Sequence, residues 1–237
     1  MKRAAITLAL LVVVGGCVDD ESDTIEGSGT VATETRAVGE FDRISVEGFG
    51  RLDVEVGLQT SLSIAADDNV LPYLVTDVDG NTLRIRSRED TSFRNIEQPI
   101  FTISTPLLAG VSISGSGEAT VAGLAADRFE VSISGSGDLT AADVQLVVLD
   151  VSISGSGNVR PSGVAETLSL SIAGSGHFRG ADLVAAFADV DIGGSGNVVV
   201  HATESLDISI GGSGGVTYLG DPALTQSIGG SGDISRG

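Results

Sequence analysis

Residues 111–117 read Val-Ser-Ile-Ser-Gly-Ser-Gly, and the same seven residues return at 131–137 and at 151–157. The closing Gly-Ser-Gly continues along the chain at spacings of 18 to 20 residues, beginning at positions 115, 135, 155, 174, 194, 212 and 230. A repeat period of this length is typical of solenoids, in which each repeat forms one coil that stacks on its neighbours. The 33 glycines of the chain are therefore concentrated in a structural repeat and do not indicate a flexible linker.

The residues around each triplet alternate between apolar and polar side chains, which predicts strands with one buried face. Aligned copies give three apolar columns. The first holds Ile113, Ile133, Ile153, Ile172, Ile192, Ile210 and Ile228. The second lies four residues earlier and holds Phe129, Leu149, Leu168, Leu206 and Leu224, with a bulge or local shift expected at Ala188. The third lies two residues past each triplet and holds Ala119, Leu139, Val159, Phe178, Val198, Val216 and Ile234.

Three inward columns per 18–20 residues predict coils of three short strands and three turns, stacked in parallel about 4.8 Å apart. The predicted fold class is all-β, a right-handed parallel β-helix (β-solenoid). We expect the triplet glycines to turn the corners through positive φ, which a residue with a Cβ avoids. Two earlier triplets, 27–29 and 48–50, are expected to belong to the same series.

The segment 51–110 interrupts the period and predicts an irregular N-terminal cap that protects the end of the stack. Asp68 and Asn69 are expected to cap one short helical turn, and Asp79-Gly80-Asn81 is expected to close a hairpin between 75–78 and 82–88. We expect one domain over residues 25–237, with an irregular part at 25–110 and regular coils at 111–237.

The N-terminus has the pattern of an export signal. Lys2 and Arg3 precede an apolar run over 4–14, which is too short to span a bilayer. The run ends in Val-Gly-Gly and Cys17, the only cysteine of the chain, as in a bacterial lipoprotein signal. This interpretation predicts a signal peptide at 1–16 and a Cys17 that is acylated, for example with palmitate. An ordinary signal peptide with an incidental thiol is the alternative. The segment 17–24, which contains four acidic residues and no basic one, is expected to form a tether between the lipid anchor and the folded domain.

Charge excludes two kinds of partner. The chain carries 32 acidic residues against 13 lysines and arginines, a net charge of −19. Binding to nucleic acid, or to an anionic membrane by electrostatic attraction, is therefore not expected. The expected membrane contact is the lipid anchor alone. The lone cysteine also excludes a disulfide framework and a cysteine-based zinc site.

Four segments together resemble the bacterial head GIN domain family: 27–29, 41–50, 66–74 and the repeated Val-Ser-Ile-Ser-Gly-Ser-Gly. The resemblance extends from about residue 25 to the C-terminus, with Phe49 where the pattern has Ser. It implies a lipid-anchored or secreted β-helix protein of the cell envelope, anchored at the outer membrane on its periplasmic or surface side. The adhesin label of the family implies a binding role and supplies no catalytic residues.

The residue after each triplet gives the best candidate surface. These residues form one polar column at the corner: Glu118, Asp138, Asn158, His177, Asn197, Gly215 and Asp233. Such a column could bind sugar hydroxyls or Ca²⁺ through oxygen atoms. Alternatively, it only forms side-chain ladders between coils. The favoured partners are a glycan or an envelope protein.

Catalysis is the weaker hypothesis. The alternative is a β-helix glycan-active enzyme, a lyase or a hydrolase, which needs clustered acids beside a base. From residue 115 onward the chain has only four basic residues, Arg128, Arg160, Arg179 and Arg236. His177 and His201 have different offsets from their triplets, so no two-histidine metal site is expected. Nor does the sequence show a nucleophile–His–acid set or a phosphate loop, and we expect no cofactor.

Overall fold

A computed structural model describes residues 23–237. The predicted signal peptide, Cys17 and residues 17–22 of the tether lie outside this range. The one helical element of the described part is a 3-10 turn, Leu71–Tyr73, so no helix there could cross a membrane. All other regular structure in this part is β-strand.

The strands occur in chain order as β1 Asp23–Glu26, β2 Val31–Arg36, β3 Arg43–Glu47, β4 Arg51–Val56, β5 Ser61–Asp67, β6 Leu74–Asp79, β7 Thr82–Ser87, β8 Thr91–Arg94, β9 Ile100–Thr105, β10 Gly110–Ile113, β11 Glu118–Ala122, β12 Ala125–Ile133, β13 Asp138–Ile153, β14 Asn158–Ile172, β15 His177–Ile192, β16 Asn197–Ile210, β17 Gly215–Leu219, β18 Ala223–Ile228 and β19 Asp233–Arg236. From β10 onward every coil pairs with the next in parallel.

The three predicted apolar columns are confirmed in register. Ile113 pairs with Ile133, and the isoleucine column then continues coil by coil to Ile228. Its members are buried up to Ile210, whereas Ile228 in the last coil is 44% exposed. The fold is the predicted parallel β-solenoid; the handedness of its coils remains a prediction.

The bulge expected beside Ala188 lies slightly earlier. Ala188 keeps its place between Leu168 and Leu206, and the register between β15 and β16 shifts between Ala185 and Phe187. One extra residue of β16 is absorbed there, before the column, so Ala188 faces the core and Phe187 faces outward.

The prediction of three short strands per coil is wrong in detail. In the coils of β13 to β16 the chain between two triplets forms one long strand, such as β13, whose buried–exposed alternation changes phase twice. These shifts bend the strand at Ala142–Asp143 and at Val147–Val148, where the chain turns without leaving the sheet. The part of the strand between the two bends forms the middle side of the coil, and this side buries Val144 and Leu146. Neither residue belongs to the three columns predicted from the sequence.

The triplet glycines do not turn the corners through positive φ, and this expectation is wrong. Positive φ occurs at Gly48, Gly50 and Gly163, among others, but at none of the seven later triplets. Glycine is needed there because the coils touch. A methyl group on Gly135 would overlap the carbonyl oxygen of Gly115, and the same holds in the next coils.

The segment that breaks the period is an insertion within the stack. Ser116 donates its backbone N–H to the carbonyl oxygen of Gly48 at 2.7 Å, so the triplet 48–50 lies directly beneath 115–117, although the two triplets are 67 positions apart in the sequence. In the same way β3 pairs with β10, and β4 with β11. The triplet 27–29 is not the next member, because Gly27 bonds to Arg94 instead.

The inserted segment contains the predicted hairpin. Strands β6 and β7 pair antiparallel around Gly80, as expected. The predicted helix cap is wrong: Val70 precedes the turn, and no side chain caps it. Asp68 and Asn69 instead hold Ser28, whose hydroxyl donates to the Asp68 carboxylate at 2.6 Å and whose N–H donates to Asn69 at 3.1 Å. These contacts attach the N-terminal strands to the body of the solenoid.

Candidate functional site

The structure brings the predicted polar residues together in one column. Strand pairing aligns them in the order Glu118, Asp138, Asn158, His177, Asn197, Gly215 and Asp233, and Arg51 lies beneath Glu118. Successive members are one coil step apart, about 4.8 Å. They emerge directly after the triplet corner because each begins a strand of the side that follows it.

The Asp138–Asn158 step of the column is closed by its own contacts. One Asp138 oxygen accepts hydrogen bonds from the backbone N–H and the side-chain amide of Asn158, at 3.0 and 2.7 Å. The other accepts from Arg160 at 3.1 Å. Three donors thus surround this carboxylate, so its oxygens are occupied within the protein. Here the ladder interpretation of the column holds.

These contacts shift the acidity of Asp138. Burial alone would raise the pKa of its carboxyl, but the hydrogen bonds from Asn158 and Arg160 and the charge of Arg160 outweigh it. The net effect lowers the pKa below the ordinary value of 3.8. A lowered pKa means that the folded state holds the ionised form more strongly than the unfolded chain does.

The lowered pKa predicts a pH-dependent loss on substitution. Asp138→Asn should lower the melting temperature by about 1–3 °C at pH 7, since a half-exposed pair contributes little. The stabilisation is complete above the unfolded-state pKa and disappears as the pH falls through the lower folded-state pKa. Thermal melts of both proteins should therefore differ at pH 7 and converge once the pH is below the lowered pKa of folded Asp138. A difference independent of pH would assign the effect to packing. Glu118→Gln, one coil away, is the matched control.

The second half of the column is more open. His177 accepts the backbone N–H of Asn197 at its Nδ1 atom, at 3.2 Å, which links two coils. His201 lies on another side of the coil, opposite Val184, so the two histidines do not meet. Next along the column, Gly215 has no side chain, and the exposed side chains of Asn197 and Asp233 lie on either side of it.

A second regular surface lies on the outer face of the isoleucine side. Ser132, Ser152 and Ser171 stand in register between the buried residues of their strands. The complete column holds Ser45, Ser112, Ser132, Ser152, Ser171, Asp191, Ser209 and Ser227. Sequence reasoning placed serine outside but did not identify it as a surface. The alternation of apolar and polar residues in each repeat was the signal from which this surface could have been predicted.

The two arginines of β7 are paired with acids. Arg84 contacts Glu47 at 3.3 Å and Asp79 at 3.4 Å, and Arg86 contacts Asp77 at 3.0 Å. Arg88 lies over the ring of Tyr73, 4.8 Å from its centroid. Arg84 and Arg86 therefore neutralise neighbouring carboxylates.

Within residues 23–237, no three acidic or histidine side chains converge as metal ligands. We therefore expect Ca²⁺ to raise the melting temperature no more than NaCl at matched ionic strength, since screening of the net negative charge is then its only effect. Melts with and without EGTA check this expectation. A saturable shift that EGTA reverses, and that Asp138→Asn with Glu118→Gln diminishes, would contradict it.

Comparison with solved structures shows where this architecture recurs. A protein from Bacteroides fragilis described as a "putative adhesin" shares 27% identity, with a TM-score of 0.85 over 90% of this chain and 99% of that one. A "putative lipid binding protein" from Parabacteroides distasonis also shares 27% identity, with a TM-score of 0.75 over 91% of this chain and all of that one. An adhesin-labelled structure from Parabacteroides merdae, 20% identical with a TM-score of 0.72 over 91% of this chain and 99% of that one, has the same fold.

A search among curated proteins finds no match. The family model "Putative auto-transporter adhesin, head GIN domain" matches residues 40–222, more than three quarters of the chain. This match covers the inserted segment and the regular coils up to residue 222. The resemblance found in the sequence is therefore confirmed, and the chain belongs to the head GIN domain family.

Proposed function

We propose that this protein is a lipid-anchored binding or adhesion module of the bacterial cell envelope, without catalytic activity. The observation that carries the proposal is the serine column of the outer face together with the polar column at the corner. Both columns present polar side chains at successive coil steps of the parallel stack, except at Gly215 in the polar column. A repeated, preorganised surface suits an extended partner such as a glycan or an envelope protein, because little order is lost on binding.

The arrangement of charges favours binding over catalysis. A β-helix lyase needs a free base beside clustered acids. Of the four arginines after residue 115, three are paired: Arg128 with Asp150 at 2.7 Å, Arg160 with Asp138 at 3.1 Å and Arg236 with Asp221 at 3.1 Å. The names of the two relatives at 27% identity, an adhesin and a lipid-binding protein, also describe binding.

A glycan array and an assay for newly released reducing ends, carried out with the same purified protein, test this function. We expect binding to glycans on the array and no release of reducing ends. Release that depends on protein concentration would support the glycan-active enzyme instead. If neither glycans nor envelope protein extracts bind, the binding role is wrong.

Anchoring has its own test at Cys17. Cys17→Ser is expected to move most of the protein from the membrane fraction to the soluble fraction, because the remaining tether is acidic and several acyl chains supply the membrane affinity. Fractionation with immunoblotting measures the change. Asp20→Asn, in the same segment, should remain with the membranes. A Cys17→Ser protein that still sediments with membranes would disprove lipid anchoring.

A further inference from the structure

We infer that the gap at Gly215 is a binding subsite for one neutral, hydroxyl-rich sugar unit. This subsite depends on the proposed binding role, and it specifies the class of ligand that is bound and the part of the polar column that binds it. Strand pairing puts Gly215 between Asn197 and Asp233 in the polar column. The missing side chain opens a groove of about 420 Å³. This volume lies in the ordinary range of small-molecule sites.

The polar groups beside the gap are too far apart to satisfy one another. In the coils of Asp138 and Asn158, adjacent side chains bond directly at 2.7 Å. Asn197 and Asp233 are two coil steps apart, about 9.5 Å, so no such bond can form across Gly215. Both residues are exposed and line the groove, and Asn197 Oδ1 lies 3.0 Å from the position that a Cβ on Gly215 would take. A ligand in the gap would restore the missing contact between them.

The other polar groups of the groove are hydroxyls. Thr217 and Ser235 line it, with their oxygens 3.4 Å apart, and Ser213 and Ser231 come from the triplet corner. The backbone N–H groups of Gly215 and Asp233 are already bonded to the preceding coil. Side chains would therefore provide the hydrogen bonds to a ligand, from four hydroxyls, one amide and one carboxylate.

This set of groups selects the ligand class. An ionised carboxylate only accepts hydrogen bonds, an amide both donates and accepts, and hydroxyls do either. Sugar hydroxyls match all three. An anion would be repelled by Asp233 and by the net charge of −19. Ca²⁺ requires six to eight oxygen ligands, and a single carboxylate beside neutral hydroxyls is a poor match.

The backbone at Gly215 allows the gap to be filled. A Cβ added there would lie 3.0 Å from the flexible end of Asn197 and 4.0 Å from the nearest backbone atom, the carbonyl oxygen of Asp233. Its φ is not in the left-handed region, and every other member of the column carries a side chain. Gly215→Val should therefore fold normally while occupying the space of the sugar.

Titration of the isotope-labelled protein with maltose, cellobiose and N,N′-diacetylchitobiose, followed by amide NMR shifts, tests the subsite. We expect a saturable shift of Asn197, Gly215 and Asp233 with a neutral disaccharide. Gly215→Val should weaken this binding by about tenfold or more, since it removes several hydrogen bonds at once. Asp233→Ala, which leaves the groove open, should also weaken it.

Gly211→Val is the matched control, because a Cβ there meets nothing within 4 Å and stands outside the groove. Its affinity should equal that of the wild type. Unchanged binding by Gly215→Val, or shifts confined to other residues, would refute the subsite and leave the binding role intact. Sialyllactose binding as tightly as the neutral sugars would refute the ligand class. No response to any of the three sugars would refute the subsite, and the glycan array then decides the binding role separately.

Discussion

Ile153→Asp is expected to remove a large part of the free energy of unfolding of the solenoid. Ile153 is fully buried between Ile133 and Ile172 in the middle of the isoleucine column. A carboxylate there would lose its hydration without gaining a partner, at a cost on the order of 5 kcal/mol. The total stability of a domain is about 5–15 kcal/mol. Circular dichroism during urea unfolding measures the loss.

The neighbouring residue provides the control for this substitution. Ser152 is exposed on the outer face of the same strand, so Ser152→Asp should change the free energy of unfolding by less than about 1 kcal/mol. The two substitutions add the same side chain one position apart. Equal losses would show that the strand does not present Ile153 to the core, and the register described above would then be wrong.

Gly194→Ala is expected to destabilise the protein by about 3 kcal/mol or more. The new methyl group would overlap the carbonyl oxygen of Gly174 in the preceding coil and approach that of Ala173 to 2.6 Å. Both atoms belong to the backbone, and the Gly174 oxygen accepts the N–H of Ser195 from the next coil at 2.9 Å, so relief requires the coils to separate. Denaturant unfolding gives the change in free energy.

Gly193→Ala, one residue earlier, should be neutral or stabilise by about 0.5 kcal/mol. A Cβ at Gly193 meets nothing within 4 Å, and alanine restricts the unfolded chain more than glycine does. The preceding coil already has Ala173 at the equivalent position. If both alanines destabilise equally, close packing between coils is not the reason for the triplet glycines.

The inward columns could be predicted from the sequence because they depend on spacing alone. A period of two within a strand and a period of 18–20 between coils are both local patterns, and burial of apolar side chains then fixes which face turns inward. Ile153 and Leu149 were placed correctly in this way. The hairpin at Gly80 follows for the same reason, since its turn and both strands are adjacent in the chain.

The middle side of each coil was not predictable by the same reasoning. Val144 and Leu146 lie between two bends at which the alternation changes phase, and one bend places Asp143 at a φ of 54°. A shift of phase within a continuous strand has no fixed sequence signal, because it results from how each coil fits the one beneath it.

The sequence by itself determined the solenoid, its coil length and the alignment of the polar column, since each follows from residue spacing along one chain. Contacts between coils were decided only by the tertiary structure. Stacking placed Gly115 on Gly48 across 67 residues, enclosed the carboxylate of Asp138 with donors from the next coil, and left Gly215 as an open gap. The physical reason is that steric overlap, acidity and open volume depend on distances between atoms of different coils, and spacing along the chain does not specify those distances.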